Sequence, residues 1–253
     1  LYVLTGDFLQ WTAFGIGVYV ICNWIHGLKN RDPVAFLLIF KSKALLLGLL
    51  SFPFITFVTY ALGAFGPSFY IRNFSMTATE VGIIYGLITV FGSMIGVICG
   101  GILGDKLRET YVNGKLYLIM ASAVLTGVTA IGFIHSENLV ASFTWKFVYH
   151  IASTAWLGCA ASTVTELVLP RLRAVASAFF ILMLSMIGLA LGPYLTGMVS
   201  DIYINSGLLP GPALKNAMTL TLVVLVLPVG LLAVACKYPV SYTHLRAHET
   251  SPH

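Results

Sequence analysis

Seven long apolar segments follow one another along the chain and limit what it can fold into. A helix needs about 20 apolar residues to cross the hydrocarbon core of a bilayer. Because lipid offers no partners to free backbone groups, segments of this kind fold as helices. The pattern predicts an all-α, polytopic transmembrane helix bundle. The predicted spans cover residues 8–26, 44–69, 79–103, 115–134, 139–168, 174–200 and 215–236.

The scarcity of charge excludes an ordinary soluble fold. Charged residues make up 9% of the 253 residues, hydrophobic residues make up 58%, and the mean hydropathy is +0.92. Soluble domains usually carry about 25% charged residues, so this chain has too few to cover a water-facing surface. The four cysteines lie inside apolar segments without metal-ligand spacing, and we interpret them as free thiols. No metal or cofactor is predicted.

The basic residues of the connectors are distributed unequally between the two membrane faces. One face is predicted to hold Lys29, Arg31, Lys41, Lys43, Lys106, Arg108, Lys115, Arg171, Arg173 and Lys237, and the other only Arg72, Lys146 and Lys215. Cytoplasmic loops carry the excess of Lys and Arg. We therefore expect the first face, with the C-terminus, to be the cytoplasmic side of a cell membrane. This distribution also explains the net charge of +5 without a nucleic-acid partner.

Residues 240–253 break abruptly from the apolar pattern. They resemble one reading frame of a sequencing adapter, so we expect a non-native tail. Such a segment is excluded from reasoning about the fold. Its three histidines are accordingly not interpreted as a metal site.

Glycines recur at intervals of four residues in the third span. Residues at this spacing lie about one helical turn apart and line one face. Such a groove lets another helix approach closely in lipid. It indicates either a static packing seam or a surface on which transporter helices slide. The groove consists of Gly92, Gly96, Gly100 and Gly104, preceded by Gly82 and Gly86.

The groove leads into Gly-Gly-Ile-Leu-Gly-Asp-Lys-Leu-Arg at residues 100–108. This segment resembles the G-x-x-x-D-[RK]-x-x-[RK] signature in the cytoplasmic loops of the major facilitator superfamily. It departs from it at Glu109-Thr110, where many members continue with glycine and more basic residues. The resemblance implies a latch, in which the aspartate contacts the N-terminus of a facing helix in the other half of the protein. The latch residues are Gly101, Gly104, Asp105, Lys106 and Arg108.

Further segments resemble Spinster-like members of that superfamily. They are residues 66–72 with 79–82, and residues 169–174 with 188–193, where Gly188, Gly192 and Pro193 indicate either a bend or a static kink. The resemblance implies a C-terminal six-helix half at 44–239, a cytoplasmic linker at 27–43 and the last helix of the N-terminal half at 1–26. Because the chain lacks an initial methionine and has an odd number of spans, we expect a fragment.

Ionisable residues inside a membrane are functional candidates by default. Lys146 and His150 lie one turn apart on the fifth span, where they line an anionic substrate path or Lys146 reaches the headgroups instead. Glu166 is expected to pair with Arg171 or Arg173 near the inner surface. Other polar groups occur on spans that face the central cavity in the superfamily. These are Tyr60, Tyr85, Thr89, Ser93, Tyr149, Ser153 and Thr154.

The resemblance implies a secondary carrier that works by alternating access. The expected substrate is a small organic or amphiphilic anionic solute, with a lysolipid as one example. The expected partners are this solute, membrane lipids and the N-terminal half of the same transporter. An intramembrane enzyme or a structural membrane protein are the alternatives. An enzyme would need paired carboxylates, a metal cluster or a Ser/Lys dyad at membrane depth, and the deeper regions lack such a set.

Overall fold

Seven long helices joined by short connectors make up the computed structural model, which describes residues 8–31, 33, 36, 43–166 and 173–238. Within this part of the chain no strand occurs, and the predicted all-α helix bundle is confirmed. The helices are α1 (Phe8–Arg31), α2 (Lys43–Phe74), α3 (Ala78–Thr110), α4 (Gly114–His135), α5 (Leu139–Glu166), α6 (Arg173–Met183, π-helical Leu184–Leu189 and Ala190–Asn205) and α7 (Pro210–Thr221, 3-10 helical Leu222–Leu225 and Val226–Ala235).

Five of the helices are long and apolar enough to cross a membrane, by length and composition alone. They include nearly all of α2, the whole of α3 and α4, most of α6 and the whole of α7. Seven spans were predicted, and by this criterion α1 and α5 are not among the helices that could cross a membrane. In α5 the apolar character is diluted by Lys146, His150 and several hydroxyl side chains. This helix packs mainly between α3 and α4, which shield it.

The helices extend beyond the predicted spans. The connector expected at residues 105–114 is helical as far as Thr110, so the latch residues lie in the last turns of α3 and not in a loop. A helix of 33 residues is about 50 Å long, whereas the hydrocarbon core of a bilayer is about 30 Å thick. Hydropathy falls where a helix leaves the hydrocarbon, but backbone hydrogen bonding continues, and this explains the difference.

A capping box starts α3 after a three-residue connector. The Thr77 hydroxyl accepts a hydrogen bond from the Glu80 amide, and the Glu80 carboxylate accepts one from the Thr77 amide at 2.9 Å. This reciprocal arrangement satisfies two amide groups that the first helical turn leaves free. The cap therefore engages the Glu80 carboxylate.

Two clusters of buried side chains form the core. The first lies toward the end of the bundle that carries Asp105 and includes Phe52, Trp156 and Phe180. The second lies toward the opposite end and includes Phe133 and Tyr149. Because the second cluster is rich in aromatic rings, it forms the walls of the candidate site.

Helix α1 lies against α6, where the rings of Trp24 and Phe179 stack with their centroids 4.2 Å apart. The predicted linker at 27–43 is only partly described, since α1 continues to Arg31. Some predictions concern residues outside the described part. They are the non-native tail, the charge position of Lys41 and the pairing of Glu166 with Arg171. The side chain of Glu166 is outside the described part as well. Arg173, the other expected partner of Glu166, donates its Nε hydrogen to the Thr165 carbonyl at 3.1 Å.

Candidate functional site

The glycine groove of α3 is filled by α5. A methyl group added at Gly92 would approach the Cβ of His150 to 2.7 Å, and one added at Gly96 would approach the Ile151 carbonyl oxygen to 2.5 Å. At Gly100 it would collide with the Ala155 carbonyl. The two backbones therefore approach as closely as small residues allow, which favours the packing-seam interpretation.

The same seam continues to Gly104, which meets the sulfur of Cys159. The Cys159 thiol donates to the Gly100 carbonyl at 3.3 Å. By contrast, Gly82, Gly86 and the latch residue Gly101 face open space. The seam thus has sharper limits than the glycine pattern indicated, and it holds α3 and α5 in a defined register.

This register places Lys146 of α5 in a chamber of aromatic rings. Its Nζ lies 4.2 Å from the ring centroid of Phe133, 4.4 Å from that of Tyr149 and 5.0 Å from that of Tyr85. The side chain is 0% exposed, and no hydrogen-bond acceptor from the described residues reaches Nζ. One interpretation of the sequence was that Lys146 extends to the headgroups. In this structure it does not.

The aromatic rings of this chamber offset only part of the free-energy cost of burying the Lys146 ammonium group. Taking an ammonium group out of water costs several kcal/mol even after the surroundings relax. A cation held over an aromatic ring recovers about 0.5–2 kcal/mol, so three rings offset a part of that cost. The remaining requirement of the Lys146 ammonium is for hydrogen-bond acceptors and for an opposite charge.

His150 lies one turn after Lys146 and faces α3. Its Nε2 shares a hydrogen bond of 3.1 Å with the Thr89 hydroxyl, which also donates to the Tyr85 carbonyl at 2.8 Å. The Tyr85 hydroxyl in turn donates to the Gly63 carbonyl of α2 at 3.2 Å. The predicted pathway residues Tyr85, Thr89, Lys146, Tyr149 and His150 are thus brought together by α3 and α5.

The other predicted pathway residues lie around this cluster in different environments. The Thr154 hydroxyl reaches across the seam to the Ser93 carbonyl at 3.2 Å. Ser153 is buried and donates to the His150 carbonyl at 3.4 Å. Tyr60 is 44% exposed on α2. Phe133, a wall of the chamber from α4, was missed in the sequence because one apolar residue among many carries no signal.

The latch aspartate, Asp105, lies near the C-terminal end of α3, at the opposite end of the helix from Thr77. Its side chain is 76% exposed, and Oδ1 lies 3.4 Å from Nζ of Lys115. Lys115 is buried at the start of α4 and donates to the Ser162 hydroxyl of α5 at 2.9 Å. The latch end therefore joins three helices through one lysine.

Lys115 also bears on the departure from the family signature. The glycine and basic residue expected after Arg108 follow instead as Gly114-Lys115, once α3 has ended and the chain has turned. A methyl group at Gly114 would collide with the Leu107 carbonyl. The turn is further held by the Asn113 side chain, which donates to the Cys236 carbonyl at 2.8 Å. Sequence reasoning missed Lys115 as a site residue, although the Gly-Lys pair was its signal.

The irregular part of α6 lies against α2. Its π-helical segment Leu184–Leu189 precedes Pro193. A methyl group at Gly188 would approach the Thr56 side chain to 2.5 Å, and one at Gly192 would approach the Phe57 carbonyl oxygen to 2.5 Å. Both glycines allow close packing, while the π-helical segment is the point of altered geometry that often accompanies function.

The long apolar helices and their packing are those of a multi-pass helical membrane protein. The chain is similar to an MFS-type efflux pump of Mycolicibacterium smegmatis, 32% identical over 149 residues, which are 58% of this chain and 34% of that protein. Protein spinster of Drosophila melanogaster is 26% identical over 173 residues, covering 64% of this chain and 28% of that protein. No protein-family model matches the chain. The predicted resemblance to Spinster-like members of the major facilitator superfamily is confirmed by these relatives.

Solved structures agree on the fold. A bacterial homolog of the human lysosomal transporter Spinster, inward-facing and occupied, matches with a TM-score of 0.70 and 23% identity, over 82% of this chain and 51% of that one. The unoccupied inward-facing form matches with a TM-score of 0.62 and 23% identity, over 89% and 53%. The chain spans about a third of the length of the curated relatives it matches.

Proposed function

We propose that the intact protein is an alternating-access carrier that moves an amphiphilic anionic solute, such as a lysolipid, across a cell membrane. One observation carries this proposal: Lys146 is a fully buried lysine whose Nζ lies near three aromatic rings and has no hydrogen-bond partner among the described residues. An anionic headgroup supplies both the charge and the acceptors that this ammonium lacks. The surrounding rings of Tyr85, Phe133 and Tyr149 suit the apolar part of an amphiphile.

The remaining parts of the molecule fit a carrier of this kind. Residues 44–239 would act as a six-helix half, which rocks against an N-terminal half that ends with α1. Asp105 is exposed at the end of α3, so its carboxylate would reach a helix N-terminus of that other half in addition to its contact with Lys115. The basic residues at this end would face the cytoplasm and contact lipid headgroups. The cycle requires no covalent chemistry and no cofactor.

Transport in proteoliposomes tests the proposal. The intact protein containing this chain is reconstituted, and uptake of an anionic lysolipid is compared with that of a cationic amphiphile of equal chain length. Lys146→Met removes the charge and keeps an unbranched apolar side chain. We expect anionic uptake to fall at least about tenfold, because a charged hydrogen bond to the headgroup is lost.

Lys215→Met is the matched control, since it removes a lysine near the start of α7. Its uptake should equal that of the wild type. If Lys146→Met carries the anionic lysolipid as fast as the wild type, the proposed role of Lys146 in an anion carrier is wrong.

A further inference from the structure

Two buried donors in the chamber have no hydrogen-bond partner in the described part of the chain. They are Nζ of Lys146 and the hydroxyl of Tyr149, and both belong to fully or almost fully buried side chains. The Tyr149 ring centroid lies 4.4 Å from the Lys146 Nζ. A phenol and an amine therefore lie in one chamber, each with a hydrogen to donate and no acceptor in hydrogen-bond geometry among the described residues.

The other polar groups in and beside the chamber already have hydrogen-bond partners. The hydroxyl of Tyr70 is 3.1 Å from the Ser142 hydroxyl, and that of Tyr85 donates to the Gly63 carbonyl. The Thr59 and Ser153 hydroxyls are the nearest polar groups to the Tyr149 hydroxyl, but neither reaches it in hydrogen-bond geometry, and each donates to a carbonyl of its own helix. Among the three buried tyrosines Tyr70, Tyr85 and Tyr149, the hydroxyl of Tyr149 is thus the one without a hydrogen-bond partner in the described part of the chain.

No carboxylate in the described residues is placed to serve these donors. The described acidic side chains are exposed and lie at or near helix ends: Glu80, Asp105, Glu109, Glu137 and Asp201. Buried polar groups in proteins are almost always hydrogen-bonded, so two such donors within one cluster of side chains need an explanation. An oxyanion is the ligand class that satisfies a phenol and an ammonium together.

We propose that Tyr149 and Lys146 are the two donors of a binding site for an oxyanion headgroup with at least two acceptor oxygens, such as a phosphate monoester or a carboxylate. This inference rests on the proposed function and deepens it, because it assigns Tyr149 as the specificity-determining residue. Lys146 supplies charge, which any anion satisfies. The Tyr149 hydroxyl adds a second donor, which favours an anion with a second oxygen. Because both donors are buried here, the headgroup enters only when the chamber opens.

Equilibrium binding tests the inference without requiring transport. The intact protein is placed in nanodiscs of zwitterionic lipid, and the affinity for dodecyl phosphate is measured against dodecyltrimethylammonium. We expect Tyr149→Phe to weaken dodecyl phosphate binding about tenfold or more, since one charge-assisted hydrogen bond is lost. Its melting temperature should stay the same or rise, because an unsatisfied buried hydroxyl is removed.

Tyr70→Phe is the matched control. It removes a buried hydroxyl that lies beside the chamber and shares a hydrogen bond of 3.1 Å with the Ser142 hydroxyl. We expect this variant to melt at a lower temperature and to bind dodecyl phosphate within about twofold of the wild type. Tyr149→Phe should therefore lower the affinity without lowering the stability, whereas the control should lower the stability and leave the affinity nearly unchanged.

The outcomes are distinguishable. Equal affinity of Tyr149→Phe and wild type overturns the inference, as does a loss of affinity that only follows a loss of stability. If the wild type transports the anionic lysolipid but does not bind dodecyl phosphate better than dodecyltrimethylammonium, the inference fails and the carrier proposal stands. If binding follows the expected pattern and no transport occurs, the carrier proposal fails and the site stands.

Discussion

At the scale of single residues, two buried lysines of this bundle have opposite environments. Lys115 has its ammonium satisfied by the Ser162 hydroxyl and by the Asp105 carboxylate. Lys146 is surrounded by three aromatic rings and has no acceptor in the part of the chain that the structure describes. Since a buried charge that lacks its partner is strongly destabilising, the surroundings of Lys115 suit a structural role and those of Lys146 suit a ligand.

The role of Lys115 can be tested through stability. Lys115→Met leaves Ser162 and Asp105 without their shared partner, and we expect the free energy of unfolding to fall by about 1–3 kcal/mol. Lys106→Met, an exposed neighbour in the latch motif, should change it by less than about 0.5 kcal/mol. Denaturation of the protein in detergent, followed by circular dichroism, measures both. Equal stability of the two variants would contradict a structural role for Lys115.

At the scale of helices, the contact between α3 and α5 decides where the candidate site forms. Glycines at 92, 96 and 100 bring the α5 backbone against α3, and this contact sets the positions of Lys146 and His150 relative to Tyr85 and Thr89. A wider separation would break the hydrogen bond between His150 and Thr89. The seam is therefore part of the site, although its glycines carry no functional group.

A pair of adjacent substitutions isolates this contact. Gly100→Ala places a methyl group on the Ala155 carbonyl of α5, and we expect a loss of about 1–3 kcal/mol in unfolding free energy. Gly101→Ala meets open space and gains helix propensity, so its stability should be unchanged or up to about 1 kcal/mol higher. Thermal unfolding in detergent compares them. If Gly101→Ala is the more damaging of the two, the assigned register between α3 and α5 is wrong.

At the scale of the whole molecule, the distribution of charge predicts the orientation in the membrane. Glu109 is exposed at the end that carries the basic residues, and Glu137 is exposed in the connector at the opposite end. In a variant without native cysteines, we expect Glu109→Cys to react with a membrane-impermeant maleimide only from the cytoplasmic side. Glu137→Cys should react only from outside. The reverse labelling pattern would contradict the proposed orientation, while equal labelling from both sides would contradict the topology.

The class of the fold and the order of its helices could be predicted from the sequence alone, because apolar length and scarce charge leave lipid-spanning helices as the solution. The Gly-x-x-x-Asp pattern before residue 106 likewise indicated the superfamily without any coordinates. These signals are local, since each is carried by residues close together in the chain.

The tertiary structure decided what the local signals could not. Lys146 was ambiguous between a substrate path and the headgroups, because one sequence does not give the rotation of a helix about its axis. Packing of α5 into the glycine seam sets that rotation and encloses Lys146 among rings from α3, α4 and α5. Phe133, Ser162 and the pairing of Lys115 with Asp105 come from residues distant in sequence, so only the folded chain brings them together.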